Sequence, residues 1–206
     1  FVFHLAAQSL VLRSYKDTLS TWNTNVIGTA HLLEALRKSA HPCTVVVVTT
    51  DKVYQNNECE HAYVETDRLG GLDPYSASKA GTELVVHSYR SLIEQERLPI
   101  GLASARAGNV IGGGDWCANR LLPDIVRALM QGTSIETRNP NSIRPWQHVL
   151  EPLSGYMMLA EKLNGDSAYA TSYNFGPRLC DNRTVEDVIK SALKTWPGQY
   201  HSNNNN

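Results

Sequence analysis

The stretch "TVVVVTT", residues 44–50, sets four valines in a row between threonines. β-Branched residues at both alternating sets of positions favour a strand covered on both faces, as in the middle of a parallel sheet. Residues 1–5 are also mainly apolar and run into small residues, which predicts a second such strand followed by a tight loop. Between the two, Trp22, Val26, Ala30, Leu33 and Leu36 recur at helical spacing and predict a long amphipathic helix from about 19 to 38. On the far side, Asp73 and Pro74 read as the N-cap and first residue of a helix over about 74–97, with apolar positions continuing through Leu84, Val85, Tyr89 and Leu92. "PIGLASARAGNVIG" (99–112) supplies the next strand and a glycine-rich exit, and 121–131 reads as helix. Strand alternating with helix predicts an α/β fold built on a doubly wound parallel sheet.

Beyond residue 108 the pattern is more mixed: a short strand in "SIETR" (134–138), a helix near 148–164, a strand in "TSYNFGP" (171–177) and a last helix near 184–196. The expected division is a sheet domain over 1–108 and a smaller substrate-binding part over 109–196, with 147–176 returning to the sheet. Residues 197–206 are expected to form a tail, because "HSNNNN" has nothing to bury and reads as disordered or artefactual.

Composition narrows the partners. With 206 residues, 42% of them hydrophobic, the chain can bury one sizeable core, and a net charge of -1 gives no electrostatic reason to bind nucleic acid. Apolar runs such as 45–48 fall far short of the roughly 20 residues a membrane helix needs, so no membrane partner is expected. Cys43, Cys59, Cys117 and Cys180 form no Cys-x-x-Cys pair, and the histidines form no ligand-like cluster. The reading is no metal site and reduced thiols in a cytoplasmic setting.

"DPYSASKAGTEL" (73–84) places Tyr75 and Lys79 four apart near a helix start, on one face. An ammonium near a phenol favours the phenolate, which suits a general base acting on a hydroxyl. The plainer alternative pairs Lys79 with Glu83 on a solvated face. Position favours chemistry: the valine strand ends at Thr49, Thr50, Asp51 and Lys52, and open α/β sheets bind ligands at the carboxyl ends of their strands.

"FHLAAQ", "TNVIGT", "TTDKVY", "PYSASK", "ARAGNVIGGGDW" and "RPWQHV" occur in this order. With them the chain resembles the extended short-chain dehydrogenase/reductase superfamily from residue 1 to about 190, and within it the CDP-glucose 4,6-dehydratases. The resemblance implies a Rossmann-type domain holding NAD and a smaller part gripping a nucleotide sugar, CDP-glucose. It implies a redox-neutral loss of water giving CDP-4-dehydro-6-deoxy-D-glucose. Tyr75 would take the 4-hydroxyl proton, Lys79 would hold the cofactor ribose and keep the tyrosine acidic, and Thr50 would bond the reacting oxygen. Asp51 would be the acid that expels the 6-hydroxyl, and Lys52 the base at C5. The dTDP-glucose dehydratases carry Glu where this chain has Lys52, and a lysine is a base only where burial or a neighbouring cation depresses its pKa.

For the cofactor, the resemblance adds Leu5, Ala6 and Ala7 at the end of the first strand, where small residues admit a dinucleotide, together with Thr49 and the ordering residue Asn25. Asn109, Arg120 and Arg144 are the candidates for the substrate diphosphate, Arg144 ahead of Arg120, since guanidinium groups match phosphate oxygens. Gln8 and Ser9 would touch the hexose or cap their own loop. The family's Gly-x-x-Gly-x-x-Gly fingerprint does not occur within residues 1–206, so a fragment lacking the first strands of the sheet is expected. An epimerase of the same superfamily, and a noncatalytic NAD-binding protein, are the competing functions. The family commonly pairs through long helices, so a homodimer, or a dimer of dimers, is expected on helices 19–38 and 74–97.

Overall fold

The computed structural model describes residues 1–56 and 61–202; Cys59 and the terminal asparagines 203–206 lie outside the described residues. In chain order, β1 (Val2–His4) is followed by α1 (Val11–Lys16), α2 (Thr18–Trp22), a π-helical turn (Asn23–Ile27) and α3 (Gly28–Ser39). Next come β2 (Cys43–Val48), a 3-10 turn (Asp51–Val53), α4 (Pro74–Gln95) and β3 (Ile100–Ala107). The short strand β4 (Val110–Ile111), α5 (Leu121–Gln131), β5 (Ile135–Thr137), β6 (Ile143–Arg144) and β7 (Gln147–His148) lead to α6 (Leu150–Gly165). The chain then forms β8 (Ser172–Phe175), β9 (Arg183–Thr184), α7 (Val185–Thr195) and β10 (Tyr200–Ser202).

The chain divides into two compact units, Phe1–Gly108 with Pro152–Phe175, and Asn109–Glu151 with everything from Gly176 onward. The first holds an all-parallel sheet in the order β1-β2-β3-β8. The valine run explains its layering, because successive side chains on a strand face opposite ways. Val45 and Val47 join Leu33 of α3, Val86 and Ile93 of α4, and Ile100 and Leu102 in one cluster. Val46 turns the other way and packs with Ala103, Ala105, Tyr156, Leu159 and Leu163, the last three from α6. Helices on both faces make the sheet doubly wound. Burying a Val or Leu side chain contributes about 1.5–3 kcal/mol, so these two clusters dominate the unit's stability.

The second unit is smaller. Ile125 and Leu129 of α5, Ile135 of β5 and Ile189 of α7 form its buried centre. Thr184 caps α7 through a reciprocal capping box with Asp187, which explains why that helix starts where it does.

The long helix expected over 19–38 is present as continuous helical backbone from Thr18 to Ser39, α2 and α3 being joined through the π turn, with α1 before it. Two details depart from the sequence reading. Leu84, placed on the apolar face of α4, is 61% exposed, and Val86 and Ile93 carry that face instead. The expected tail is partly strand: Tyr200, His201 and Ser202 pair in parallel with Ile135, Glu136 and Thr137. Backbone groups alone make that ladder, so polar side chains do not prevent it, and Tyr200 adds apolar contact to the cluster around Ile135.

Candidate active site

In a parallel sheet every strand presents its carboxyl end on the same edge, and β1 and β2 deliver Leu5–Ala7 and Thr49–Lys52 there. Thr49 and Thr50 are buried. The Thr50 hydroxyl donates to Asp51 Oδ1 at 3.0 Å and accepts from the Lys52 amide at 3.4 Å, so it starts the 3-10 turn and fixes the neighbouring carboxylate. Asp51 is half-buried and Lys52 exposed. Burial, one of the two routes by which a lysine becomes a base, is therefore missing at Lys52.

Helix α4 starts where Asp73 accepts from the Ser76 amide at 3.0 Å, with Pro74 at the first helical position, where its missing N–H costs nothing. Gly71 makes that start possible, since a Cβ there would lie 2.6 Å from the Ala77 nitrogen. The first turns of the helix are tied to the loop after β1 by a chain of bonds. The Ser14 hydroxyl accepts from the Tyr75 amide at 3.1 Å, and the Ser78 hydroxyl donates to the Tyr75 carbonyl at 2.7 Å. Ser78 in turn accepts from Asn25 Nδ2 at 2.9 Å. The other contacts of Asn25 hold the backbone of Gln8 from both sides, Oδ1 accepting from its amide at 2.8 Å and Nδ2 donating to its carbonyl at 3.1 Å.

Asn25 is 1% exposed, which removes the reading of it as an ordinary polar helix residue. It sits in the π turn, a feature that recurs at functional sites, and its carbonyl accepts the hydroxyls of Thr29 at 2.7 Å and Thr82 at 2.8 Å. With the Thr29 proton spent there, His4 Nε2 is the donor in its 3.0 Å contact with Thr29. Burial, followed by the charge of Lys79, lowers the pKa of His4.

Tyr75 and Lys79 are 8% and 5% exposed. The Lys79 amine donates to the carbonyl of Val48 at 3.0 Å, which anchors it at the carboxyl end of β2 beside Thr49 and Thr50. Burial lowers its pKa to about 8, against the opposing pull of Glu83. Val53 and Tyr54 pack on Ala80, so the turn bearing Asp51 rests on the same helix.

Glu83 is no solvated partner: it is 3% exposed, and the alternative of a surface pair with Lys79 falls. Its carboxylate accepts from the hydroxyls of Thr49 at 2.5 Å and Ser104 at 2.8 Å, and from Arg106 Nη2 at 2.8 Å. Arg106 continues to the Tyr54 hydroxyl at 2.9 Å, which donates to Asn174 Oδ1 at 2.6 Å. Sequence reading missed this network, together with Ser14 and Ser78. An arginine inside the apolar run "LASARA" was the available signal, since a charge in a central strand needs a buried partner.

The remaining candidates are placed as follows. Leu5 and Ala6 are exposed and Ala7 half-buried, so Leu5 is not core packing. Gln8 spends its amide on its own loop, Nε2 donating to Thr21 Oγ1 at 2.9 Å and to the Leu10 carbonyl, and Oε1 accepting from the Leu10 amide. Those bonds are the loop-capping role, one of the two readings of Gln8; Ser9 beside it is exposed. Asn109, Arg120 and Arg144 belong to the second unit. Asn109 accepts at its carbonyl from the Gln147 amide, Arg120 bridges to Asp115 at 2.7 Å, and the exposed Arg144 donates to the Ile143 carbonyl at 3.0 Å. Among the described residues no cluster of His, Cys, Asp or Glu could hold a metal, and no helix is long and apolar enough to cross a membrane.

Comparison with known proteins places this geometry. The chain is 48% identical over 200 residues to a CDP-glucose 4,6-dehydratase of Salmonella typhimurium, covering 95% of this chain and 56% of that protein. It is 32% identical over 155 residues to the dTDP-D-glucose 4,6-dehydratase of Dictyostelium discoideum, covering 67% of this chain and 34% of that one. The dTDP-glucose 4,6-dehydratase DesIV of Streptomyces venezuelae, solved with NAD and TYD bound, superposes with a TM-score of 0.80 at 25% identity over 97% of this chain and 59% of its own. The chain therefore spans about half the length of the curated relatives it matches. Parallel sheet, Tyr75 and Lys79 on α4, and Thr50 at the strand end all fall inside the match of residues 1–201 to the GDP-mannose 4,6 dehydratase family model, and the chain belongs to that family, within the extended short-chain dehydrogenase/reductase superfamily.

Proposed function

We propose that the protein dehydrates a nucleotide sugar, CDP-D-glucose, to CDP-4-dehydro-6-deoxy-D-glucose with NAD as its cofactor. The observation that carries this reading is the buried Lys79 amine, fixed on Val48 beside Thr50 and one helical turn from Tyr75. The similarity to the Salmonella dehydratase supplies the substrate.

The donor set suits NAD. An ammonium offers three donors, and the Val48 carbonyl takes one, which leaves two for the hydroxyls of a ribose. Leu5, Ala6 and Ala7 would line the dinucleotide, with Thr49 beside it and Asn25 holding their loop. Held there, NAD would supply the hydride acceptor for C4 of the hexose and, once reduced, the hydride donor for C6.

Tyr75 takes the proton of the 4-hydroxyl, and Lys79 stabilises the phenolate by its charge. Thr50 bonds the oxygen that becomes the ketone. That ketone acidifies the C5 proton, so a base can remove it as Asp51 delivers a proton to the departing 6-hydroxyl. Lys52, exposed at the strand exit, is the candidate base. An epimerase needs no acid at the 6-position, so the tie between Thr50 and Asp51 favours dehydration. Arg144, ahead of Arg120, and Asn109 are assigned to the diphosphate; the bridge of Arg120 to Asp115 already occupies its charge.

A homodimer is part of this reading: Leu19, Ile27 and Leu84 are 78%, 46% and 61% exposed, apolar surface that a second copy would cover. A cytoplasmic setting fits the unpaired Cys43, Cys117 and Cys180. The test is incubation of the full-length protein with CDP-glucose. An alkali-sensitive 4-keto-6-deoxy product is expected, and an epimerised sugar without loss of water contradicts the assignment.

A further inference from the structure

Behind the proposed acid–base pair lies a buried charge cluster that the mechanism does not use. Lys79, Glu83 and Arg106 are all under 6% exposed, and Arg90 stands near Glu83 on the same helix. One carboxylate thus stands among three cations, and Arg106 is the one that pairs with it directly, at 2.8 Å. The imbalance shows in the hydrogen bonding: Arg90 Nη2 and Arg106 Nε are buried with no acceptor among the described residues. Glu83 accepts from Thr49 at the exit of β2 and from Ser104 and Arg106 of β3 at 2.5–2.8 Å, with Ser172 of β8 at 3.3 Å, so its carboxylate is fixed and ionised rather than adaptable. The bond to Thr49 pins α4 to the end of β2 one turn beyond the point where Lys79 does the same, and the bonds to Ser104 and Arg106 pin it to β3. A buried ammonium without a nearby carboxylate surrenders its proton, because desolvation penalises the charged form.

We propose that Glu83 is a positioning residue for Lys79: clamped by Thr49, Ser104 and Arg106, it keeps the neighbouring amine charged and seated on Val48. This rests on the proposed role of Lys79 in the dehydration. His4 of β1 faces Lys79 and opposes its charge, and Glu83 is the group that supports it. Facing Glu83 are Lys79 and Arg90 from α4 and Arg106 from β3, while Tyr54 and Tyr173 border the two arginines. Neutralising Glu83 leaves the cluster with cations alone.

The test is a titration of the Lys79 amine by nitrogen NMR in full-length protein labelled at lysine, assigned with Lys79→Met. In wild type we expect it to titrate near 8. In Glu83→Gln we expect it about one unit lower or more, the size of effect an adjacent charge produces. In turnover of CDP-glucose, the alkaline limb of the kcat profile moves down by the same amount, which a merely structural loss would not do. An unmoved Lys79 titration in a folded Glu83→Gln protein overturns the proposal. If that variant does not fold, wild type labelled at the glutamate carboxyls decides: the Glu83 resonance must step with Lys79, and a flat trace overturns the coupling. Because both NMR readouts need no substrate, a shifted Lys79 in a protein that does not dehydrate CDP-glucose supports the coupling and defeats the functional reading instead.

Discussion

The Lys79 amine and the Val48 carbonyl, 3.0 Å apart, join the first turns of α4 to the end of the central strand, and the candidate chemistry is organised around that joint. Tyr75 stands one turn earlier on the helix, and Thr50 two residues further along the strand exit. Replacing Tyr75 by Phe removes a hydroxyl and leaves the backbone bonds to Ser14 and Ser78 in place. The expected outcome is a loss of kcat of about 10²–10⁴-fold, the usual scale for a general base, in a protein that stays folded. Activity within threefold of wild type contradicts the role and favours a noncatalytic binding protein.

Lys79 also makes stability depend on pH. Its folded pKa of about 8 lies below the ordinary lysine value of 10.5, so the charged amine opposes folding. That penalty is whole below about pH 8 and is relieved as pH rises toward 10.5, where only the unfolded chain still holds the proton. In urea unfolding, Lys79→Met is expected to gain on wild type below pH 8 and to lose that advantage by pH 10. An advantage independent of pH contradicts the burial argument.

Asn25 holds the loop after β1 to α4, and its replacement by Ala strands the amide and carbonyl of Gln8 and removes the donor to Ser78, whose hydroxyl keeps its bond to the Tyr75 carbonyl. A buried group left unpaired costs about 1–3 kcal/mol. Urea unfolding is expected to show a loss of roughly 3 kcal/mol or more in total; a loss below about 1 kcal/mol means the loop repairs itself.

Gly71 lies against the first turn of α4, where an added Cβ would sit 2.4 Å from the Ser76 Cβ. Gly71→Ala must push the loop or the helix start aside, a strain of about 1–3 kcal/mol. Because Tyr75 is on that turn, kcat is expected to fall more than the binding of the nucleotide sugar. A variant with wild-type kcat places the displacement in the loop alone.

The sheet was legible from the sequence because the valines at 45–48 and the small residues of "LASARA" carry a two-sided burial signal that local spacing records. Helix α4 was legible from its cap, Asp73 and Pro74. What spacing does not record is a partner distant in sequence. Glu83 read as a neighbour of Lys79 on a wet face, and only the sheet brings it Thr49, Ser104 and Arg106, the latter two from 21 and 23 positions away. Gln8 read equally as a hexose contact or a cap, and spacing did not record that α2 sets Thr21, and the π turn Asn25, against it. His201 and Ser202 read as tail because strand pairing through the backbone leaves no mark in side-chain polarity.

The most direct test of the central claim follows one hydrogen. CDP-glucose carrying deuterium at C4 is turned over by the full-length protein and the product's C6 is read by NMR and mass. The account predicts that the label moves from C4 to C6 of a 4-keto-6-deoxy sugar without exchanging with water. Deuterium returned to C4 of an epimerised sugar, or recovered untouched in the substrate, contradicts it.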